Sequence, residues 1–249
     1  MRGPILIEGA DLEIDEEARR ADALKEKALQ ASRPSPEPVP ANPVVSYKNL
    51  QFESRAYRDQ GQTEKKLFHY DQSLVRLRHD GFARHARSAE VFSLLCGGLE
   101  GKLTPKEKTI ADDMLASYGE WISLALERTG NRLIAYVDPE GLVWEENQYV
   151  KSSQFRSAEQ HEFDITGKNS KKLIDIDLFD AEVVQFLYGR SFDDLPAAMR
   201  KGDHQARLYL PYDNTIWPVC RGIIDYNYYA VGSFDTQRSS RGVAVIGTP

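Results

Sequence analysis

Not one of the 25 aromatic residues of this 249-residue chain falls within residues 1 to 45. That segment also carries 6 basic and 9 acidic residues, so it cannot bury enough apolar surface to offset the entropy of ordering itself. Any core must come from the remainder. Residues 1–45 are therefore read as an arm, and residues 46–249 as a single composite domain, mainly helical over 46–130 and mainly β over 131–249.

Within the arm, residues 11–31 have helical character. Asp11, Glu13, Asp15, Glu16 and Glu17 come first and Arg19, Arg20, Lys25 and Lys27 follow, the order that the helix dipole favours. The apolar stripe is thin, so such a helix needs something to dock on. Five of the twelve prolines follow at Pro34, Pro36, Pro38, Pro40 and Pro43. They make a stiff extended spacer of roughly 30 Å, at about 3.1 Å per residue. It is a passive linker or a lasso around a neighbouring subunit. On the second reading Leu12, Ile14, Leu24, Leu29, Pro36, Pro38 and Pro40 are the candidate partner contacts.

In residues 46–130 the clearest signal is Thr104, Pro105 and Glu107, an N-cap, a first-turn proline and a capping-box acid. Apolar residues at helical spacing from Ala111 to Ala125, with Thr129 and Gly130 as the stop, predict one helix of about 24 residues. An earlier helix is expected from about Thr63 or Ser73 to Cys96, ended by Gly97 and Gly98 and interrupted at Gly81. The two should form an antiparallel hairpin. Beyond residue 130, where 16 of the 25 aromatics lie, the pattern turns to period two. Arg132–Val137 and Leu142–Val150 flank Asp138-Pro-Glu-Gly, a type I turn sequence, and predict a β-hairpin. Leu173–Leu178 alternates as a strand. Asp180 is placed to cap a short helix ending at Gly189, and a second short helix ends at Gly202. A meander of four strands follows, from Gln205 to Ile246.

The absences narrow the function. No apolar run approaches the ~20 residues a spanning helix needs, which agrees with a mean hydropathy of -0.52. The N-terminus lacks the apolar core of a secretory signal, so an intracellular, cytoplasmic location or a place in a large particle is expected. Cys96 and Cys220 stand alone, as buried thiols do. No phosphate-binding glycine loop, GxSxG elbow, HExxH helix or EF-hand loop occurs, and no cofactor is implied.

Three constellations remain. Asp175 and Asp177 share a strand face, with His161, Glu162 and Asp164 upstream, and are weak metal candidates; the solvated face of a half-exposed strand has the same pattern. Arg76, Arg78, Arg84 and Arg87, with His79 and His85, form a cationic cluster suited to nucleic-acid contact, although a net charge of -6 opposes long-range steering. Arg207, Asp225, Asn227 and Tyr229 would line a polar groove on the face opposite Tyr226 and Tyr228. The helix running into Asp138-Pro-Glu-Gly-Leu resembles the opening of PAS-type sensor modules over fewer than forty residues, mostly in turn chemistry, and assigns no family.

The expected fold is α+β: an extended and helical N-terminal arm, an antiparallel helical hairpin, then an antiparallel sheet with short helices. The expected function leans away from catalysis, toward a structural or adaptor subunit whose arm contacts a protein partner or a second copy. The alternative is a nucleic-acid-binding or metal-dependent nucleic-acid-processing protein. No membrane contact is expected.

Overall fold

Residues 120–126 are buried at every position. A surface helix buries one face, whereas a central strand can bury both. The chain takes the second solution. This computed structural model describes residues 43–57, 66–116, 119–168, 173–202, 205–224, 227–233 and 237–245. The chain divides into two units, residues 1–41 and 42–249. The arm contacts expected at Leu12, Ile14, Leu24, Leu29, Pro36, Pro38 and Pro40 lie outside the described residues, as does the helix read over 11–31.

The fold is α+β. In order come β1 (Val44–Tyr47), β2 (Leu50–Glu53), β3 (Leu67–Phe68), α1 (Tyr70–His79), β4 (Arg84–His85), α2 (Ser88–Leu99) and α3 (Pro105–Leu115). Then follow β5 (Glu120–Thr129), β6 (Arg132–Val137), β7 (Glu140–Glu145), β8 (Gln148–Arg156), β9 (Glu159–Asp164) and β10 (Leu173–Asp175). After a 3-10 turn, Ile176–Leu178, come α4 (Ala181–Tyr188), α5 (Ala197–Arg200), β11 (Arg207–Tyr209), β12 (Thr215–Ile224), β13 (Asn227–Ser233), β14 (Arg238–Ser239) and β15 (Gly242–Val245).

The largest sheet runs β10-β11-β13-β12-β5-β14-β3, with β6 and β9 branching from β5. It is mostly antiparallel, but β11 pairs parallel to β13 and β14 parallel to β5. On β5, Ile122, Leu124 and Leu126 join the main core with α2, α3 and α4, while Trp121 and Ala125 face a second cluster under α1 and the β7–β8 hairpin. Two covered faces explain the unbroken burial. They also explain why the single 24-residue helix expected from Thr104 is not formed. The capping box is present, with Thr104 N–H donating to Glu107 Oε2 at 2.7 Å, yet α3 ends at Leu115 and Gly119 (φ +106°) turns the chain into β5.

The earlier helix is likewise two helices, α1 and α2, separated at Gly81 (φ +82°) and by β4. Gly97 and Gly98 sit inside α2 rather than ending it. A Cβ at Gly97 would come within 2.8 Å of the end of the Leu103 side chain, so the glycine here serves close packing and not chain reversal. The hairpin expected across Asp138–Gly141 is also absent. β6 pairs with β5 and β9, while β7 pairs with β8 across Glu146 and Asn147, which are both left-handed as a type I′ turn demands. The alternation expected to Leu178 stops at Asp175, where the 3-10 turn begins. α4 ends on left-handed Gly189 as the sequence suggests.

A separate four-stranded sheet, β1-β2-β15-β4, joins the first described strands to the last. No described helix is long and apolar enough to cross a membrane.

Candidate functional site

Beside the join between the last strand and the rest of the body sits a buried set of charges. Arg241, immediately before β15, places Nε and Nη2 each 3.0 Å from the two oxygens of Glu120, and Nη2 also 2.5 Å from Asp113 Oδ2. Its Nη1 donates to the carbonyl of Glu53 at 2.5 Å. Burial alone would weaken the guanidinium's hold on its proton, but Glu120 and Asp113 more than offset it and raise the pKa. Glu53 in turn accepts from Arg76 Nη1 at 2.7 Å and from the Gly242 backbone N–H. Arg221 donates to the Met114 carbonyl at 2.6 Å, and burial pulls its pKa down.

His85 lies next to this set, fully buried, with Nε2 2.8 Å from Ser73 Oγ. Burial pushes its pKa down to about 3, so the imidazole is neutral over the ordinary pH range. Burial pushes the Cys96 thiol up to about 11 and raises Cys220 as well. A thiol so shifted is a packing group rather than a nucleophile.

At the surface a second chain of charges rims a cavity of about 150 Å³ lined by Arg87, Ser88, Ser123, Val137, Glu159 and Phe186. That volume is about half of the ~300 Å³ at which small-molecule sites usually begin. Arg87, the residue before α2, holds Asp138 at 2.5 Å and faces Glu159 at 3.7 Å. The bond it donates to Asp138 is the main reason its pKa is raised.

The four arginines expected to contact nucleic acid do not share a helix. Arg76 and Arg78 are on α1, Arg84 on β4 and Arg87 at the start of α2. Each is held by carboxylates: Arg76 by Glu53 and by Asp80 at 2.9 Å, Arg78 by Glu140 at 2.7 Å, Arg84 by Glu90 at 2.7 and 2.8 Å, and Arg87 by Asp138. His79 contacts Asp80 at 2.9 Å. Asp80 and Glu90 are local partners, but Glu53, Glu140 and Asp138 come from distant segments, which local counting of bases could not reveal.

The groove does not form as expected. Tyr229 is buried in the main core, so its face of β13 is covered as well as the face of Ala230, and it does not line an open polar groove. Arg207 is tied to Asp175 Oδ1 at 2.7 Å. Asp225 and Tyr226 lie outside the described residues. Asp175 and Asp177 do not converge either: Asp175 sits on β10 with Arg207, and Asp177 sits on the 3-10 turn near Gln205 Nε2 at 3.4 Å. Upstream, Glu162 pairs with Arg132 on β9 and Asp164 turns back to Thr166. Among the described residues no three His, Cys, Asp or Glu side chains are grouped to hold a metal ion.

Sequence reasoning passed over Glu53, Asp113, Glu120, Arg221 and Arg241. The signal was present in part, since Glu120 opens a long apolar strand run and Arg221 is the one charged residue within another. Compared with known proteins, the chain matches no family model, no curated protein and no solved structure.

Proposed function

We propose that the protein is a non-enzymatic structural or adaptor subunit of a larger assembly, and that it contacts a neighbour through the arm of residues 1–45. The observation that carries this reading is a contrast along the chain. The arm has no aromatic residue and five closely spaced prolines, whereas the two apolar clusters of the body are assembled from residues between Leu50 and Val243. An arm of that composition gains order by binding rather than by folding alone. Further support comes from the body's charges, because Arg76, Arg78, Arg84, Arg87, Arg207 and Arg241 all hold carboxylates of the same chain. Groups so matched suit a scaffold. The nucleic-acid alternative would have to break four of those pairs, and it has correspondingly less support.

Light scattering behind size exclusion, on the full chain and on protein lacking residues 1–41, tests the reading. The deletion stops at 41 because Val44–Tyr47 is a strand of the body. The truncated protein is expected to melt cooperatively close to the full chain and to run as a monomer, while the full chain assembles. A truncated protein that is insoluble, or that melts far lower as a monomer, makes the arm part of the domain and defeats the proposal.

A further inference from the structure

The edge of a sheet presents unpaired N–H and C=O groups, and native proteins blunt such edges with charge, proline or brevity. Most open edges here follow that rule. β9 carries Glu159, His161, Glu162 and Asp164; β7 carries Glu140 and Glu145; β8 carries Lys151 and Arg156. β3 and β4 are two residues long and β10 three. β1 is the exception among the described residues, because Val44-Val45-Ser46-Tyr47 has neither charge nor proline and pairs with β2 alone.

The register settles which groups face outward. Ser54 N–H donates to the Pro43 carbonyl at 2.8 Å, so that pair belongs to the hydrogen-bonded set of the β1–β2 ladder. Strict alternation then puts Val45–Phe52 and Tyr47–Leu50 in the same set. Val44 and Ser46 therefore direct their N–H and C=O groups away from β2, and both residues are exposed. The strand itself is firmly seated. Val45 and Tyr47 pack against the main core, and Tyr47 Oη donates to the Ser93 carbonyl at 3.1 Å.

We propose that this edge receives the arm of a second copy, which adds Ile5-Leu6-Ile7 as a strand alongside β1. The inference rests on the arm-mediated assembly above and names its contact. Of the 42 residues that precede Pro43, the stretch from Pro34 onward is interrupted by prolines that cannot donate to a ladder, and residues 11–31 carry the pattern of a helix. Ile5-Leu6-Ile7, which lies between Pro4 and Glu8, has no proline or charge within it, is rich in β-branched side chains and is one residue shorter than the four-residue edge. Main-chain bonds to Val44 and Ser46 would supply affinity, as in other strand-addition complexes.

Ser46→Pro in the full chain removes the outward N–H and sets a ring on the open edge, while every β1–β2 bond is kept. It is expected to reduce the mass in solution from a multiple of 28.2 kDa to the monomer. Amide exchange supplies a readout that does not depend on a variant: in the assembled full chain Val44 and Ser46 should exchange on the order of tenfold or more slower than in the diluted monomer. If S46P assembles like the unmutated chain while the protein lacking residues 1–41 is monomeric, the receiving edge is overturned and arm-mediated assembly stands. Protection that survives dilution to the monomer places the covering strand in the same chain and overturns the second-copy assignment. A full chain that is monomeric throughout overturns both.

Discussion

Replacing Arg241 with Met tests how far the buried charge set holds the body together. Arg241, Arg221, Glu120 and Asp113 form a balanced group of two cations and two anions, with Glu120 only 4% exposed. Arg241→Met removes two bonds to Glu120, one to Asp113 and one to the Glu53 carbonyl. It leaves one buried negative charge uncompensated, which costs about 3 to 5 kcal/mol in comparable cases. With a urea slope of about 2 to 3 kcal/mol/M, a loss of about 4 kcal/mol moves the midpoint by roughly 1.3 to 2 M. Adding Glu120→Gln restores the balance and should recover at least half of that loss, because the penalty is the unpaired charge and not the missing bond. The assay is urea unfolding followed by fluorescence, with Trp121 buried as a reporter. A single variant that loses less than about 1 kcal/mol, or a double variant that loses the sum of two singles, would falsify the balanced-charge account.

Acid should weaken the protein through His85, whose folded pKa of about 3 lies below its ordinary 6.5 chiefly because of burial, opposed by the Arg241 carbonyl and reinforced by Arg76. The unfolded chain then binds the proton more tightly, so this stability is present above about pH 6.5 and drains away as pH falls toward 3; between pH 7.5 and 5 the loss is about 2 kcal/mol. Urea curves at those two pH values should show it in the unmutated chain and not in His85→Gln, and equal losses in both would refute the assignment. Gly141→Ala should cost about 2 to 4 kcal/mol, since φ is +72° and the new Cβ would lie 2.8 Å from the backbone of Gln154 and Phe155. Gly130→Ala, at φ +59° with nothing within 4 Å, should cost only about 1 kcal/mol, and equal melting temperatures for the two variants would contradict the steric argument.

What the sequence made legible was local. The capping box at Thr104 and Glu107 and the glycine stop at Gly189 act within a few residues of themselves, and both appear where their chemistry places them. The extent of α3 was not legible, because Trp121, Ile122 and Ala125 are buried on two opposite faces of β5. A run buried on both faces fits a helical and a strand period equally well. The face of Tyr229 was misread for a related reason: β13 is buried on both sides from Tyr229 to Gly232, so polarity no longer marks an outside. The Glu120–Arg241 ion pair was invisible because its partners lie 121 residues apart, and so was the bond that Glu53 accepts from the Gly242 backbone N–H across 189.

That long-range pairing has a structural consequence for the first described strand. β1 is held by β2, β2 also carries β15, and Glu53 at the end of β2 binds both Arg76 of α1 and the first amide of β15. The strand nearest the arm is thus tied to the last strand and to α1 through one carboxylate. An edge clamped in this way costs little further ordering when another strand pairs with it, and lower ordering cost translates directly into affinity. On the proposed strand addition, weakening the clamp should therefore loosen assembly as well as the fold. Glu53→Gln keeps the shape of the side chain but removes the charge that Arg76 faces. It is a more selective probe of that coupling than any change within β1 itself.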